Sequence, residues 1–169
     1  MEVVLVRHAI AAERDPAKWP GDGDRPLTEQ GEDRMRRAAR GLGRIVPEVD
    51  VVLSSPLARA WRTAEILHEE IGWPAPEPCP HLEPDRSPGQ AVRALVPYRD
   101  RARIVLVGHE PNLSEIASHL VTPAGGRGID IEMKKGGAAC LGVDGDPGPG
   151  TAWLRWLATP RMLRQLEDG

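Results

Sequence analysis

Short, wholly apolar runs alternate along this chain with longer stretches in which apolar residues recur every three or four positions. Residues 3–6, 49–53 and 104–107 are rich in valine, isoleucine and leucine. They carry no regular polar alternation, the pattern of strands covered on both faces in a parallel sheet. Each is followed by a helix signal. After the first, Thr28 is a candidate N-cap, with Glu29, Glu32 and Asp33 early and Arg40 and Arg44 late, a charge order that complements the helix dipole. Met35, Ala38, Ala39, Leu42 and Ile45 supply its apolar stripe, and the arginines between them form a solvated face. After the second strand, Ser55 is the expected N-cap and Pro56 the first helical residue, with Ala60, Ala64, Leu67 and Ile71 buried and Gly72 and Pro74 as the stop. After the third, Pro111 opens another helix.

The tail changes period. Ala138–Val143 and residues 152–157 flank "DGDPGPG", which predicts an antiparallel hairpin. Thr159-Pro160 then opens a short last helix carrying Met162, Leu163 and Leu166. The expectation is an α/β fold: a three-layer α/β/α sandwich with a mainly parallel central sheet plus an antiparallel C-terminal strand. No repeat or interdomain linker interrupts it. Residues 1–169 are expected to form a single domain, with the proline-rich residues 74–88 as a long connection inside it.

Composition narrows the function. Hydrophobic content of 40% and charged content of 28% fit an ordinary globular chain, and the net charge of −3 does not suggest a nucleic-acid partner. Of 22 basic residues only Lys18, Lys134 and Lys135 are lysines; the other 19 are arginines, which suit phosphate and carboxylate recognition. Cys79 and Cys140 form neither a disulfide framework nor a zinc-ribbon spacing. The apolar start is broken by Arg7 and His8, and no run approaches a membrane span. The expected location is the cytoplasm, with no membrane partner.

The three strands end alike. The first runs into Arg7-His8; the second into Ser54-Ser55, with Arg59 shortly after; the third into Gly108-His109. In an open α/β sheet, ligands bind beyond the carboxyl ends of the strands. If these strands are parallel neighbours, Arg7, His8, Arg59 and His109 converge on one spot suited to a dianionic tetrahedral group. Taken singly, each has an ordinary structural or surface reading. Four such residues at equivalent strand ends point to one site.

"VRHA", "SSPLARAWRTAE" and "VGHEPN", in that order over almost the whole chain, resemble the histidine phosphatase, or phosphoglycerate-mutase-like, superfamily. "RPLTEQG" and "ATPRMLRQL" are most similar to its small phosphohistidine phosphatases of the SixA type. Ala9 stands where glycine is usual. The resemblance implies that His8 is transiently phosphorylated and that Arg7, Arg59 and His109 bind the phosphoryl oxygens, with no cofactor and no metal. It also implies a carboxylate acid near "HLEPD", with Glu83 the candidate and Asp85 second, although SixA-type members can lack a dedicated acid. Phosphohistidine tolerates that lack, since imidazole leaves phosphorus more easily than an alkoxide does.

Three functions stay open. The first is a phosphatase acting on phosphohistidine in a protein; the second acts on a small phosphate ester or sugar phosphate. The third is a non-catalytic phosphoryl-binding module. The expected partner is correspondingly a phosphorylated protein or a small phosphorylated metabolite. The link over residues 73–102 is short for a cap, so an open site is expected, with "DPAKWPGDGDRP" as a candidate flap whose Asp15, Asp22 and Asp24 would oppose a highly anionic ligand if they face the pocket. Lys134 and Lys135 either rim the pocket or sit in a solvent-facing loop. His68 is read on a solvated helix face, His119 as packed or surface-lying, and Cys79 with His81 as short of a metal site. Neither a Walker loop nor a G-x-G-x-x-G follows the first strand, which excludes the usual nucleotide-binding readings.

Overall fold

The computed structural model describes residues 1–167. Its apolar runs become β1 (Glu2–Arg7), β2 (Val51–Ser54) and β4 (Arg103–Gly108), joined by a two-residue β3 (Glu77–Pro78) and the hairpin β5 (Ala138–Val143) and β6 (Ala152–Ala158). The sheet order is β3-β2-β4-β1-β5-β6. β1 pairs in parallel with β4, and β4 with β2; β5 is antiparallel to β1, and β6 to β5. The carboxyl ends of β1, β2 and β4 therefore lie side by side, with Arg7 opposite Gly108 and Ser54 opposite Val107.

Both faces are covered, which explains the unalternated strands. Val4, Val6, Val52, Val105 and Val107 face α1 (Glu29–Ile45), α2 (Ala58–Ile71) and α5 (Pro160–Glu167). Val3, Leu5, Leu53, Ile104 and Leu106 face α3 (Pro88–Arg93) and α4 (Asn112–Val121). Each such buried side chain contributes about 1.5–3 kcal/mol relative to exposure. Among the described residues no helix is long and apolar enough to cross a membrane.

The "TEQG" of the first loop has a local physical role. Thr28 Oγ1 accepts a hydrogen bond from Gly31 N at 2.9 Å, the expected N-cap, while Thr28 N donates to Ile10 O at 3.0 Å. A Cβ on Gly31 would stand 2.1 Å from the Ile10 carbonyl oxygen, so glycine lets the chain leaving β1 lie on the first turn of α1. That contact fixes the course of the backbone just after Arg7-His8.

Three expected boundaries shift. β2 begins at Val51, because Asp50 spends its carboxylate on Arg103 N (2.8 Å) and Val49 packs on the core outside the ladder. α2 begins at Ala58 with Leu57 at its N-cap, two residues after the expected Ser55-Pro56 start. Ser55 stands ahead of that cap: its hydroxyl lies 2.9 Å from His109 Nε2 and accepts from Leu57 N at 3.4 Å. Part of the link over residues 73–102 is helical: α3 starts at Pro88 and fills the groove beside α4.

Candidate active site

Arg7, His8, Arg59 and His109 line a single pocket of ≈ 410 Å³ at the carboxyl ends of β1, β2 and β4. His8 and His109 are 6% and 2% exposed, and their ring centroids lie 5.1 Å apart. His8 N donates to Gly108 O at 3.0 Å, which clips the end of β1 to the end of β4. His8 Nδ1 lies 2.7 Å from the Ala9 carbonyl oxygen. A carbonyl can only accept, so the neutral ring carries its proton on Nδ1 and its lone pair on Nε2.

The cations are aimed by their remaining contacts. An Nη of Arg7 donates to Met133 O at 2.6 Å, and one of Arg59 to Asp22 O at 2.9 Å. Arg59 is 2% exposed and its second Nη is 3.3 Å from an Asp22 carboxylate oxygen. The Nε of Arg7, the Nε of Arg59 and Nδ1 of His109 are buried without a protein partner. The two arginine Nε atoms can only donate, and with the Ser55 hydroxyl donating to His109 Nε2 the ring's Nδ1 donates as well, which suits all three to the oxygens of a tetrahedral oxyanion.

Burial pushes the His8 imidazole down to about 3; Arg59, Arg7 and Lys135 add to the shift, against the hydrogen bond to Ala9. His109 is also pushed down to about 3, by burial first and then by His8 and Arg59. Both rings are neutral at pH 7, the form in which an imidazole nitrogen attacks. The unfolded chain takes up these protons near 6.5, well above the folded one. The associated stability is therefore complete above about pH 6.5 and is lost as pH falls toward 3, by at most about 1.4 kcal/mol per pH unit for each ring. Urea unfolding between about pH 7 and pH 4 should show a shallower loss in a His8→Asn/His109→Asn variant than in wild type. Equal slopes would mean that the two imidazoles titrate normally in the fold.

The family model of the histidine phosphatase superfamily (branch 1) matches residues 3–83. An uncharacterized protein of Picosynechococcus sp. is 39% identical over 139 residues, covering 81% of this chain and 82% of that one. The solved protein histidine phosphatase SixA, complexed with tungstate, superimposes with a TM-score of 0.82 at 26% identity, covering 95% of this chain and 98% of its own. The mycobacterial glucosyl-3-phosphoglycerate phosphatase shares the fold, with a TM-score of 0.69 at 18% identity over 94% of this chain and 99% of its own.

The chain belongs to the histidine phosphatase superfamily.

Of the histidine phosphatase residues expected from the motifs, Arg7, His8, Arg59 and His109 come together and Glu83 does not join them. Glu83 pairs with Arg86 at 2.8 Å, and it is the next residue, Pro84, that lines the pocket. Asp85 is exposed, in a left-handed turn (φ 62°). Asn112 Nδ2 holds this loop by donating to Arg86 O at 2.9 Å. Of the two lysines, Lys135 lines the pocket, whereas Lys134 pairs with Glu132 in solvent. In the candidate flap, Asp15 pairs with Lys18 and Asp24 is exposed, but Asp22 reaches Arg25 and Arg59. His68 Nδ1 donates to the Trp73 carbonyl oxygen at 2.6 Å, which ties the end of α2; His119 is half-buried.

The sequence reading missed several parts of this histidine phosphatase site. Arg25 is 8% exposed, lines the pocket and donates to Asp22 at 2.8 Å. The hydrogen bond from Arg25 and the charge of Arg59 hold the Asp22 carboxyl below its ordinary range, against a burial effect of opposite sign. Thr63 Oγ1 accepts from Ala9 N at 3.0 Å and donates to Arg59 O at 2.7 Å, so one hydroxyl braces the segments carrying His8 and Arg59. Glu110 lines the pocket half-buried; burial raises its carboxyl, against its hydrogen bond from Ser114 and the charge of Arg7. The signals were adjacency to quoted motifs: Arg25 opens "RPLTEQG", Thr63 lies in "RTAE" and Glu110 follows His109.

Proposed function

We propose that the chain is a phosphatase that removes the phosphoryl group of a phosphohistidine in a protein, through a covalent phosphohistidine on His8. The observation that carries this reading is the Nδ1–Ala9 contact, which leaves Nε2 of a buried neutral ring as the nucleophile beside Arg7, Arg59 and His109. His8 Nε2 forms the new N–P bond as the bond from phosphorus to the substrate imidazole breaks, and the departing imidazole takes a proton from water. Water then attacks phosphorus, the Nε2–P bond breaks and inorganic phosphate leaves. Arg7, Arg59 and His109 meet the charge on the equatorial oxygens in both steps. The protein's own cations carry that charge, so the reading assigns no metal and no cofactor.

Two further features favour a phosphohistidine substrate. Glu83 is turned away onto Arg86, so the pocket offers no carboxylic acid there for an alkoxide leaving group. SixA, which the chain resembles over nearly its full length, is a protein histidine phosphatase. Residues 1–169 would then act as one cytoplasmic domain. Glu83→Gln is expected to keep kcat/KM on a phosphohistidine protein within about threefold of wild type. A large loss would show that the loop swings Glu83 into the site. The deciding assay sets a phosphohistidine-bearing protein against a panel of phosphate esters, with chelator present.

Glu110 favours a second reading. Its buried Oε1 has no partner and its carboxyl titrates high, so it could serve as a proton donor for a small phosphate ester. Preference for an ester together with a large loss in Glu110→Gln would select that reading.

A further inference from the structure

The arginines of this chain are unevenly neutralised. Arg36, Arg40 and Arg62 share Glu32, Glu69 and Glu70, while Arg103 and Arg155 share Glu2. Among the described residues no carboxylate pairs with Arg34, Lys135, Arg161 or Arg164. These four collect where α1, α5 and the turn before β5 meet. Arg34, Lys135 and Arg164 line a cavity of ≈ 100 Å³ whose wall includes Ala9, Met35 and Ala38. Pro160, at the N-terminus of α5, also lines it, so the positive end of that helix adds to the field. The guanidinium of Arg164 is held below its ordinary range by burial and then by Arg34, Arg37 and Arg161, which marks an excess of positive charge.

The cavity adjoins the phosphoryl pocket. Its wall contains Ala9, the residue whose carbonyl faces His8 Nδ1, and Lys135 lines both spaces. Its volume suits one carboxylate or phosphate group and is too small for a nucleotide. Arg161 on α5 is exposed outside the cavity, and its charge acts on Arg164.

We infer that this cavity is an anion subsite that takes an acidic side chain of the phosphorylated protein, next to its phosphohistidine. The inference rests on the phosphatase reading of the His8 pocket. It adds a rule for choosing substrates: the phosphohistidine is flanked by aspartate or glutamate.

Two synthetic peptides of equal length test it, one with aspartates and one with asparagines around a single phosphohistidine. Wild type should favour the aspartate peptide about tenfold in kcat/KM, mostly through KM. The preference should shrink as salt rises from about 0.05 to about 0.5 M. Arg34→Gln combined with Arg164→Gln should bring the ratio to about one. If Arg164→Gln disturbs the packing of α5 on α1, the exposed Arg34→Gln alone should still lower the preference about threefold. A wild-type ratio of one, or a preference that survives the double variant, overturns the subsite. Binding of both peptides to His8→Ala, followed by fluorescence anisotropy, reads the same preference without turnover. Preference in binding with no turnover by wild type would refute the phosphatase reading and leave the subsite standing. Turnover of both peptides without preference would do the reverse. Preference for an organic bisphosphate over its monophosphate, with none between the peptides, would give the cavity to a small ligand and also overturn the proposal.

Discussion

His8→Ala is expected to lower turnover of a phosphohistidine protein by about 10⁴-fold or more, with the fold intact. The size of the effect follows from the role: without the imidazole there is no nitrogen to accept the phosphoryl group, so the whole covalent route closes. His8 is a ring that burial first, and then its neighbouring cations, keep unprotonated, and its removal leaves Arg7, Arg59 and His109 in place. Oxyanion binding should therefore persist, and inorganic phosphate should still bind His8→Ala. The direct measurement is an alkaline detergent quench of wild type with labelled substrate, followed by separation of the enzyme and a test for base-stable, acid-labile label on it. Label on wild type and none on His8→Ala is the expected pair. Retained activity in His8→Ala would exclude the covalent route.

Arg59→Ala is expected to cost about 10²–10³-fold in kcat, the range for removing one preorganised donor to a developing anion. The cost includes more than one charge. Arg59 holds Asp22 with two contacts, so truncation would leave that carboxylate beside the empty anion position, opposing substrate. A second replacement, Asp22→Asn, should then recover part of the loss, about five- to tenfold. Steady-state kinetics of the two single variants and the double variant make the cycle. Equal losses in Arg59→Ala with and without Asp22→Asn would show that Asp22 leaves Arg59 when substrate binds. A loss below about threefold in Arg59→Ala would remove Arg59 from the oxyanion contacts.

Of the histidine phosphatase fold, the sequence determined the elements that local pattern dictates. The three apolar runs had to be strands buried on both faces, Thr28 had to cap α1, and Gly72 had to end α2 in the left-handed conformation. It also pointed to Arg7, His8, Arg59 and His109 as one site on the condition that their strands are parallel neighbours, a condition that the pairing of β1 with β4 and β4 with β2 meets. Tertiary structure decided the contacts made by residues distant in sequence. Ser55, expected at the N-cap of α2, instead meets His109, 54 residues away, and the helix starts two residues later than expected. Arg25 and Lys135 joined the site, and Glu83 stayed outside it, through loop paths that periodicity does not encode. Strand positions and the Thr28 cap follow from short-range sterics and hydrophobic burial. Which charge meets which depends on where loops of irregular backbone come to rest, and only the packed chain fixes that.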